Sequence, residues 1–87
     1  MSLPAASPIE QGVIDVLKNV SRRPVEPHLE DDLVAHLGFD SLQVLEVVAE
    51  LEDRFDISIA MDEVSATRTV AQIVARVTTL VEAQSQR

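Results

Sequence analysis

The sequence predicts an all-α fold, a small antiparallel four-helix bundle with three main helices, one short helix and a long first loop. Apolar residues recur at helical spacing in three segments, and no segment of useful length alternates as a strand does. The 87 residues are 46% hydrophobic, and the apolar ones are almost all Val, Leu, Ile and Ala. This is enough for one small core. We therefore expect one domain over residues 8–82, with flexible tails at 1–7 and 83–87.

The first helix is predicted over residues 9–20, where apolar residues return every three or four positions. Ser7 suits the N-cap and Pro8 the first helical position. A long loop follows, because Pro24 and Pro27 cannot continue a helix. Three leucines at four-residue intervals predict one short helical turn within that loop. They are Leu29, Leu33 and Leu37.

The second helix is predicted by a capping box. Gly38 breaks the chain, and Asp40 is followed three positions later by Gln43. In this pattern the two residues satisfy each other's backbone amides at a helix start. We expect a helix from Ser41 to about Arg54.

Two further helices are predicted in the last third of the chain. Residues 56–60 leave the second helix, and a brief helix follows around residues 62–66. Thr69 and Gln72 form a second capping box, and an apolar stripe then predicts a last helix from residue 70 to about residue 82.

The second helix carries apolar residues on both of its sides. One arc of its helical wheel predicts the core contact, through Val44, Val47, Val48, Leu51 and Phe55. The opposite arc mixes apolar and acidic residues, namely Leu42, Leu45, Glu46, Ala49 and Asp53, with Glu50 and Glu52 at its margins. Two interpretations are possible. The two leucines are simply exposed, or are covered by a loop. Alternatively, this arc is a docking surface, in which the leucines provide contact area and the acids set the orientation of the partner.

Negative charge is concentrated in the middle of the chain. Of the net charge of −8, segment 26–63 holds twelve acids and one base, Arg54, which gives −11 there and +3 elsewhere. This predicts basic protein partners and self-repulsion that salt relieves. Nucleic acid is excluded as a partner, because clustered bases and aromatic platforms are both missing.

The chain has no cysteine, which excludes a disulfide, a thiolate nucleophile and a cysteine metal site. We predict no bound metal. No segment approaches the ~20 apolar residues of a membrane span. Acids and Gln interrupt the first twenty residues, which do not read as a secretion signal. We expect a cytoplasmic protein.

Residues 37–42, Leu-Gly-Phe-Asp-Ser-Leu, resemble the attachment motif of acyl carrier proteins, in which the serine is modified. The resemblance covers roughly residues 9–82, and the length, helix order and acidic second helix agree with it. Further matching positions are Leu29, Asp32, Leu33, residues 51–57, Thr69, Val70, Ile73 and Val77.

The resemblance implies a carrier that does not itself catalyse. A phosphopantetheinyl transferase using coenzyme A and Mg²⁺ would attach 4'-phosphopantetheine to Ser41, and the terminal thiol would carry acyl groups as thioesters, partly sheltered between the helices. The expected partners are that transferase, an acyl-loading ligase or transferase, and downstream synthases with basic docking patches. By position, Asp40, Leu42, Glu46, Glu52 and Asp53 match residues the family uses to meet its enzymes. We expect a monomer without membrane insertion.

Two departures bear on the pathway. Gln43 stands where many fatty-acid-synthesis carriers have an acid, and Arg54 interrupts the acidic run. Fatty-acid synthesis and a specialised lipid, polyketide or modified-amino-acid pathway therefore both remain open.

Three other functions compete with that of a carrier. Catalysis by Ser41 with His28 or His36 lacks the Gly-x-Ser-x-Gly elbow. An EF-hand counted from Asp56 would place Met61 where the loop needs glycine. An acidic helical interaction module with no prosthetic group is the main alternative.

Overall fold

The computed structural model describes residues 7–85 and confirms the all-α fold. In chain order its helices are α1 (Pro8–Val20), α2 (Ser41–Phe55), α3 (Met61–Ala66) and α4 (Val70–Ser85). The three longer helices pack against one another, and α3 is the short fourth helix. Across residues 7–85 there is no β-strand, only one isolated bridge between Asp32 and Thr69. Residues 1–6 and 86–87, parts of the predicted tails, lie outside the described range.

The helix starts follow the predicted capping residues. In α1, Ser7 Oγ accepts a hydrogen bond from the Glu10 amide at 3.0 Å. Before α4, Thr69 Oγ1 accepts from the Gln72 amide at 3.2 Å, and Gln72 Oε1 accepts from the Thr69 amide at 3.0 Å. These bonds satisfy first-turn amides that have no partner within a helix.

The helix ends differ from the prediction by one to three residues. Helix α2 runs one residue further and stops where Asp56 adopts a left-handed φ of 55°. Helix α3 begins one residue earlier, at Met61. Helix α4 continues to Ser85, so residues 83–85 are helical rather than part of a tail. The Gln84 side chain donates to the Asp56 carbonyl oxygen, which ties this last turn to the end of α2.

The core lies between the three main helices and the loop that precedes α2. Its buried apolar side chains are Val13, Val16, Leu17, Leu33, Leu37, Phe39, Val47, Leu51, Ile57, Val70, Ile73 and Val77. Two of the three loop leucines are therefore buried, whereas Leu29 is 40% exposed. The end of the loop therefore adds side chains to the core, although most of the loop residues before it are exposed.

The buried side of α2 is rotated relative to the predicted arc. Val47 and Leu51 are fully buried, but Val44 and Val48 are only half-buried, and Gln43, which was not predicted to be internal, is 6% exposed. The reason is that the end of α1 covers Gln43, whose Nε2 lies 3.5 Å from the Val20 carbonyl oxygen.

The long loop is held to the start of α4 by backbone hydrogen bonds. The Leu33 amide donates to the Arg68 carbonyl at 2.9 Å, and the Val70 amide donates to the Asp31 carbonyl at 3.0 Å. The predicted helical turn forms here as a hydrogen-bonded turn, in which the amides of residues 36 and 37 both donate to the Asp32 carbonyl. These bonds fix the segment that leads into α2.

Candidate functional site

Ser41 is the first residue of α2 and is exposed. Asp40 caps the helix: its Oδ1 accepts from the Gln43 amide at 2.8 Å, and Gln43 Oε1 accepts from the Asp40 amide at 3.2 Å. The predicted capping box is confirmed. In the described part of the chain the amides of Ser41 and Leu42 have no acceptor, so the hydroxyl lies beside two unpaired N–H groups at the positive end of the helix dipole.

The residues before Ser41 alternate between the core and solvent. Leu37 and Phe39 are 6% and 2% exposed, so they anchor the segment from inside. Gly38 between them has φ +74°, and a Cβ there would lie 2.8 Å from an Arg23 guanidinium nitrogen. The positive φ favours glycine here, whereas the end of the flexible Arg23 side chain could move away from a Cβ. The serine is thus presented outward by a segment fixed on its other side.

Ser41 lines an open groove of about 590 Å³. Its walls include Val34 of the loop, Leu45 of α2 and Met61 of α3, and Arg68 lines it as well. Behind it lies a smaller apolar cavity of about 30 Å³ between α2 and α4. The groove and the cavity share four lining residues, namely Leu33, Val44, Val64 and Thr67. The groove and the cavity are therefore adjacent, and a linear group attached at Ser41 can lie along the groove.

The predicted docking arc lies on the outside of α2. Leu42 is 60% exposed and Leu45 is 44% exposed, and no loop covers either leucine. The other exposed members of the arc are Glu46, Ala49 and Asp53, and the N-cap residue Asp40 is exposed as well. The arc therefore joins apolar area to several carboxylates next to Ser41.

Two predicted docking acids are engaged within the protein. Glu50 is half-buried, and its Oε1 accepts from Asn19 Nδ2 at 2.8 Å. Glu52 is also half-buried, and its Oε2 accepts from the Ile59 amide at 2.8 Å. Sequence periodicity placed both at the margin of the arc, and these partners give each a structural role in addition to its charge.

The histidines lie in the loop rather than in a catalytic arrangement. His36 Nδ1 accepts from the Asp32 amide at 2.7 Å, and His28 Nδ1 lies 3.5 Å from an Asp31 carboxylate oxygen. The amides of Ala35 and Val34 both donate to the Asp32 carboxylate. These bonds lower the pKa of Asp32, the one from Ala35 more than the one from Val34. Within residues 7–85 no group of three His, Cys, Asp or Glu side chains is placed to hold a metal ion.

The comparisons with known proteins agree on one family. The family model described as "Phosphopantetheine attachment site" matches residues 11–77. An acyl carrier protein of Amoebophilus asiaticus is 39% identical over 69 residues, which cover 78% of this chain and 86% of that protein. One from an Exiguobacterium species is 39% identical over 72 residues, covering 82% and 86%. The chain belongs to the acyl carrier proteins.

A solved structure gives the same result for the fold. It is Rv0033 of Mycobacterium tuberculosis, described as a candidate acyl carrier protein, with a TM-score of 0.78 and 30% identity over 82% of this chain and 96% of that one. Members of this family carry 4'-phosphopantetheine and are carriers, not catalysts. The catalytic use of Ser41 with a histidine is therefore set aside. No helix in residues 7–85 is both long and apolar enough to cross a bilayer.

The residues around Ser41 fit the prosthetic group of this family. Its phosphodiester would lie beside the unpaired amides of Ser41 and Leu42, which favour an anion. The adjoining groove, of about 590 Å³, has room for the pantetheine chain and offers apolar and hydroxyl side chains to its methyl and amide groups. The capping role of Gln43 was predicted from the sequence, but its burial was not, and a buried position suits an uncharged amide.

Proposed function

We propose that this acyl carrier protein bears its 4'-phosphopantetheine on the hydroxyl of Ser41 and delivers acyl intermediates to enzymes of fatty-acid, lipid, polyketide or other specialised biosynthesis. The observation that carries the assignment is the placement of Ser41: it is exposed at the first turn of α2, within the family motif, and it lines the groove. The protein would act as a monomer in the cytoplasm.

Each neighbour of Ser41 has a definite task in this proposal. Leu37 and Phe39 hold the segment in the core, and Asp40 keeps the first turn of α2 formed. The amides of Ser41 and Leu42 face the phosphodiester and stabilise its charge. When attached, the prosthetic group supplies a thiol that holds the cargo as a thioester.

The exposed arc of α2 is proposed as the surface that partner enzymes bind. Leu42 and Leu45 supply area that is desolvated on contact, and Glu46 and Asp53 attract a basic patch. The partners are a phosphopantetheinyl transferase, an acyl-loading ligase or transferase, and downstream synthases. Such a surface gives fast and salt-sensitive association, which suits a carrier that visits several enzymes.

The two departures from the fatty-acid carriers have structural roles here. Gln43 is buried against the end of α1, and an Arg54 guanidinium nitrogen lies 3.6 Å from an Asp15 carboxylate oxygen. Both departures therefore contact α1, Gln43 from a buried position and Arg54 from an exposed one. They leave the exposed acids of the arc unchanged, so the choice between a housekeeping and a specialised pathway rests on the cargo.

Intact mass tests the proposal. Incubation with a broad-specificity transferase, coenzyme A and Mg²⁺ is expected to add one phosphopantetheine, and S41A is expected to abolish the addition while the helical circular dichroism is retained. Ser65 provides the matched control, because it lines the same groove and S65A removes a comparable hydroxyl. An unchanged mass for the wild type would favour the rival interaction module without a prosthetic group. Loss of the modification in S65A but not in S41A would overturn the assignment of Ser41.

A further inference from the structure

The apolar cavity between α2 and α4 is closed on one side by α3. Val47 and Leu51 of α2 and Val77 of α4 form fixed walls, since each is 0–1% exposed. Val64 of α3 is only half-buried, and α3 contains no fully buried residue. Of the walls around this cavity, α3 is therefore the one that can move at least cost in lost packing.

The volume of the cavity limits what it can hold while α3 stays in place. A water-sized group needs on the order of 10–15 Å³, so the cavity, at about 30 Å³, admits two or three such groups. A methylene is close to a water in size. A chain of eight or more carbons therefore enters only if α3 moves away from α2 and α4.

An ion pair holds α3 against α4 at this wall. Arg76 Nη1 lies 2.8 Å from Glu63 Oε2, and the Glu63 side chain is only 28% exposed. The Arg76 side chain also lines the cavity. Directly after α3, Thr67 Oγ1 donates to the Glu63 carbonyl at 2.7 Å, which ties the C-cap residue to the helix. The Arg76 side chain is 42% exposed, so this short, charge-assisted pair is partly shielded from solvent.

We infer that the Glu63–Arg76 ion pair keeps α3 closed over the cavity and so restricts internal cargo to short acyl chains, leaving longer chains in the open groove beside Ser41. The inference rests on the proposed function, since it concerns cargo attached through Ser41. It narrows the general expectation that the family shelters acyl chains between its helices. The pair, rather than the apolar lining, sets the length limit.

Chain-loaded forms of the protein test the length limit. The transferase is used to load acetyl, butyryl, octanoyl and dodecanoyl groups from the corresponding acyl-coenzyme A, and methyl NMR reports where each chain lies. Ile73 lines the cavity but not the groove, and Val34 lines the groove but not the cavity. In the wild type, octanoyl is expected to shift the methyl signals of Val34 and leave those of Ile73 in place. In E63Q and R76M, the same chain is expected to shift Ile73.

Melting temperature gives a second readout of the loaded forms. In the wild type the octanoyl form is expected to melt within about 1 °C of the acetyl form, whereas in E63Q burial of additional methylenes is expected to raise it by at least about 4 °C. In the wild type the Ala60 amide donates to Glu63 Oε1 at 3.3 Å, and the side-chain oxygen of E63Q can still accept this hydrogen bond. E26Q is the matched control, because it removes the Lys18–Glu26 pair away from the cavity.

Two outcomes with the loaded forms would overturn the inference. One is a wild type in which octanoyl already shifts Ile73 as strongly as in E63Q, and the other is an E63Q protein that behaves as E26Q does. Hydrogen exchange of the unmodified chain separates this inference from the proposed function. The α3 amides should exchange at least several-fold faster in E63Q even if no arm can be attached, and unchanged exchange refutes the role of the ion pair whatever the mass spectrum gives.

Discussion

Replacing the buried Gln43 by its isosteric acid, Q43E, is expected to destabilise the fold at neutral pH. The side chain is 6% exposed, its Oε1 accepts the Asp40 amide, and its Nε2 lies 3.5 Å from the Val20 carbonyl oxygen. A carboxylate retains the bond from Asp40. It also places a second negative oxygen against the Val20 carbonyl, where the wild type has a donor.

The expected cost follows from these contacts. The bond from Nε2 is long, so its loss alone contributes little. Setting two acceptors against each other in a buried position costs about 1–3 kcal/mol, and burial of the new charge adds to it at neutral pH. We expect a total of about 2–3 kcal/mol, which lowers the melting temperature by roughly 10–20 °C in a domain of this size.

Urea unfolding followed by circular dichroism measures this cost, since the chain has no Trp or Tyr for fluorescence. Q72E is the matched control. Gln72 occupies the same capping-box position in α4 and is exposed, and its Oε1 accepts a hydrogen bond from the Arg68 amide at 2.6 Å. An acid suits that site, and a change within about 0.5 kcal/mol is expected.

The pH dependence of Q43E supplies the refutation. Burial raises the folded-state pKa of the new carboxyl, so the variant is least destabilised below its unfolded pKa of about 4.3 and loses stability as the pH rises through the folded value. Equal costs for Q43E and Q72E would refute this account of the buried amide. So would a cost that grows on acidification.

Four further results are expected. D56G should raise the free energy of unfolding by about 0.5–1 kcal/mol in urea titrations, because residue 56 has a left-handed φ of 55°; a loss of stability would contradict this. G38A should lower it by about 1–2 kcal/mol, since φ there is +74°, and a neutral result would show that the turn relaxes. The melting temperature should rise with salt because segment 26–63 carries −11; a flat curve would mean that repulsion is weak. The hydrogen bond from the Ala35 amide lowers the pKa of Asp32. The stability that this carboxylate contributes is therefore present above its unfolded pKa of about 3.9 and is lost as the pH falls through the lower folded value. D32N should remove that part of the acid transition, and a curve of stability against pH identical to that of the wild type would contradict this.

The helices were predictable because their signals are local. The capping pairs Asp40–Gln43 and Thr69–Gln72 each span three residues, and the structure forms both. The same locality explains why Ser41 could be placed at a helix start before any tertiary contact was known. Helix ends were less certain, since the left-handed Asp56 is not a glycine and gives little signal in the sequence.

The errors concern contacts between residues distant in the chain. The wheel of α2 placed Gln43 outside the core because it considered one helix alone, whereas the end of α1 covers that residue. The backbone bond from Leu33 to Arg68 joins positions 35 residues apart, and no periodicity reports it. The tie from Glu52 to the Ile59 amide was missed for the same reason.

The ion pair between Arg54 and Asp15 has a consequence for how the molecule moves before it touches a partner. Arg54 is the only base within segment 26–63, and it is paired with α1. The charges of Glu46 and Asp53 on the exposed side of α2 have no such cation from their own segment. The field of a basic surface exerts a torque on a carrier with such an uneven charge distribution. The carrier therefore turns Ser41 toward an enzyme while it is still diffusing.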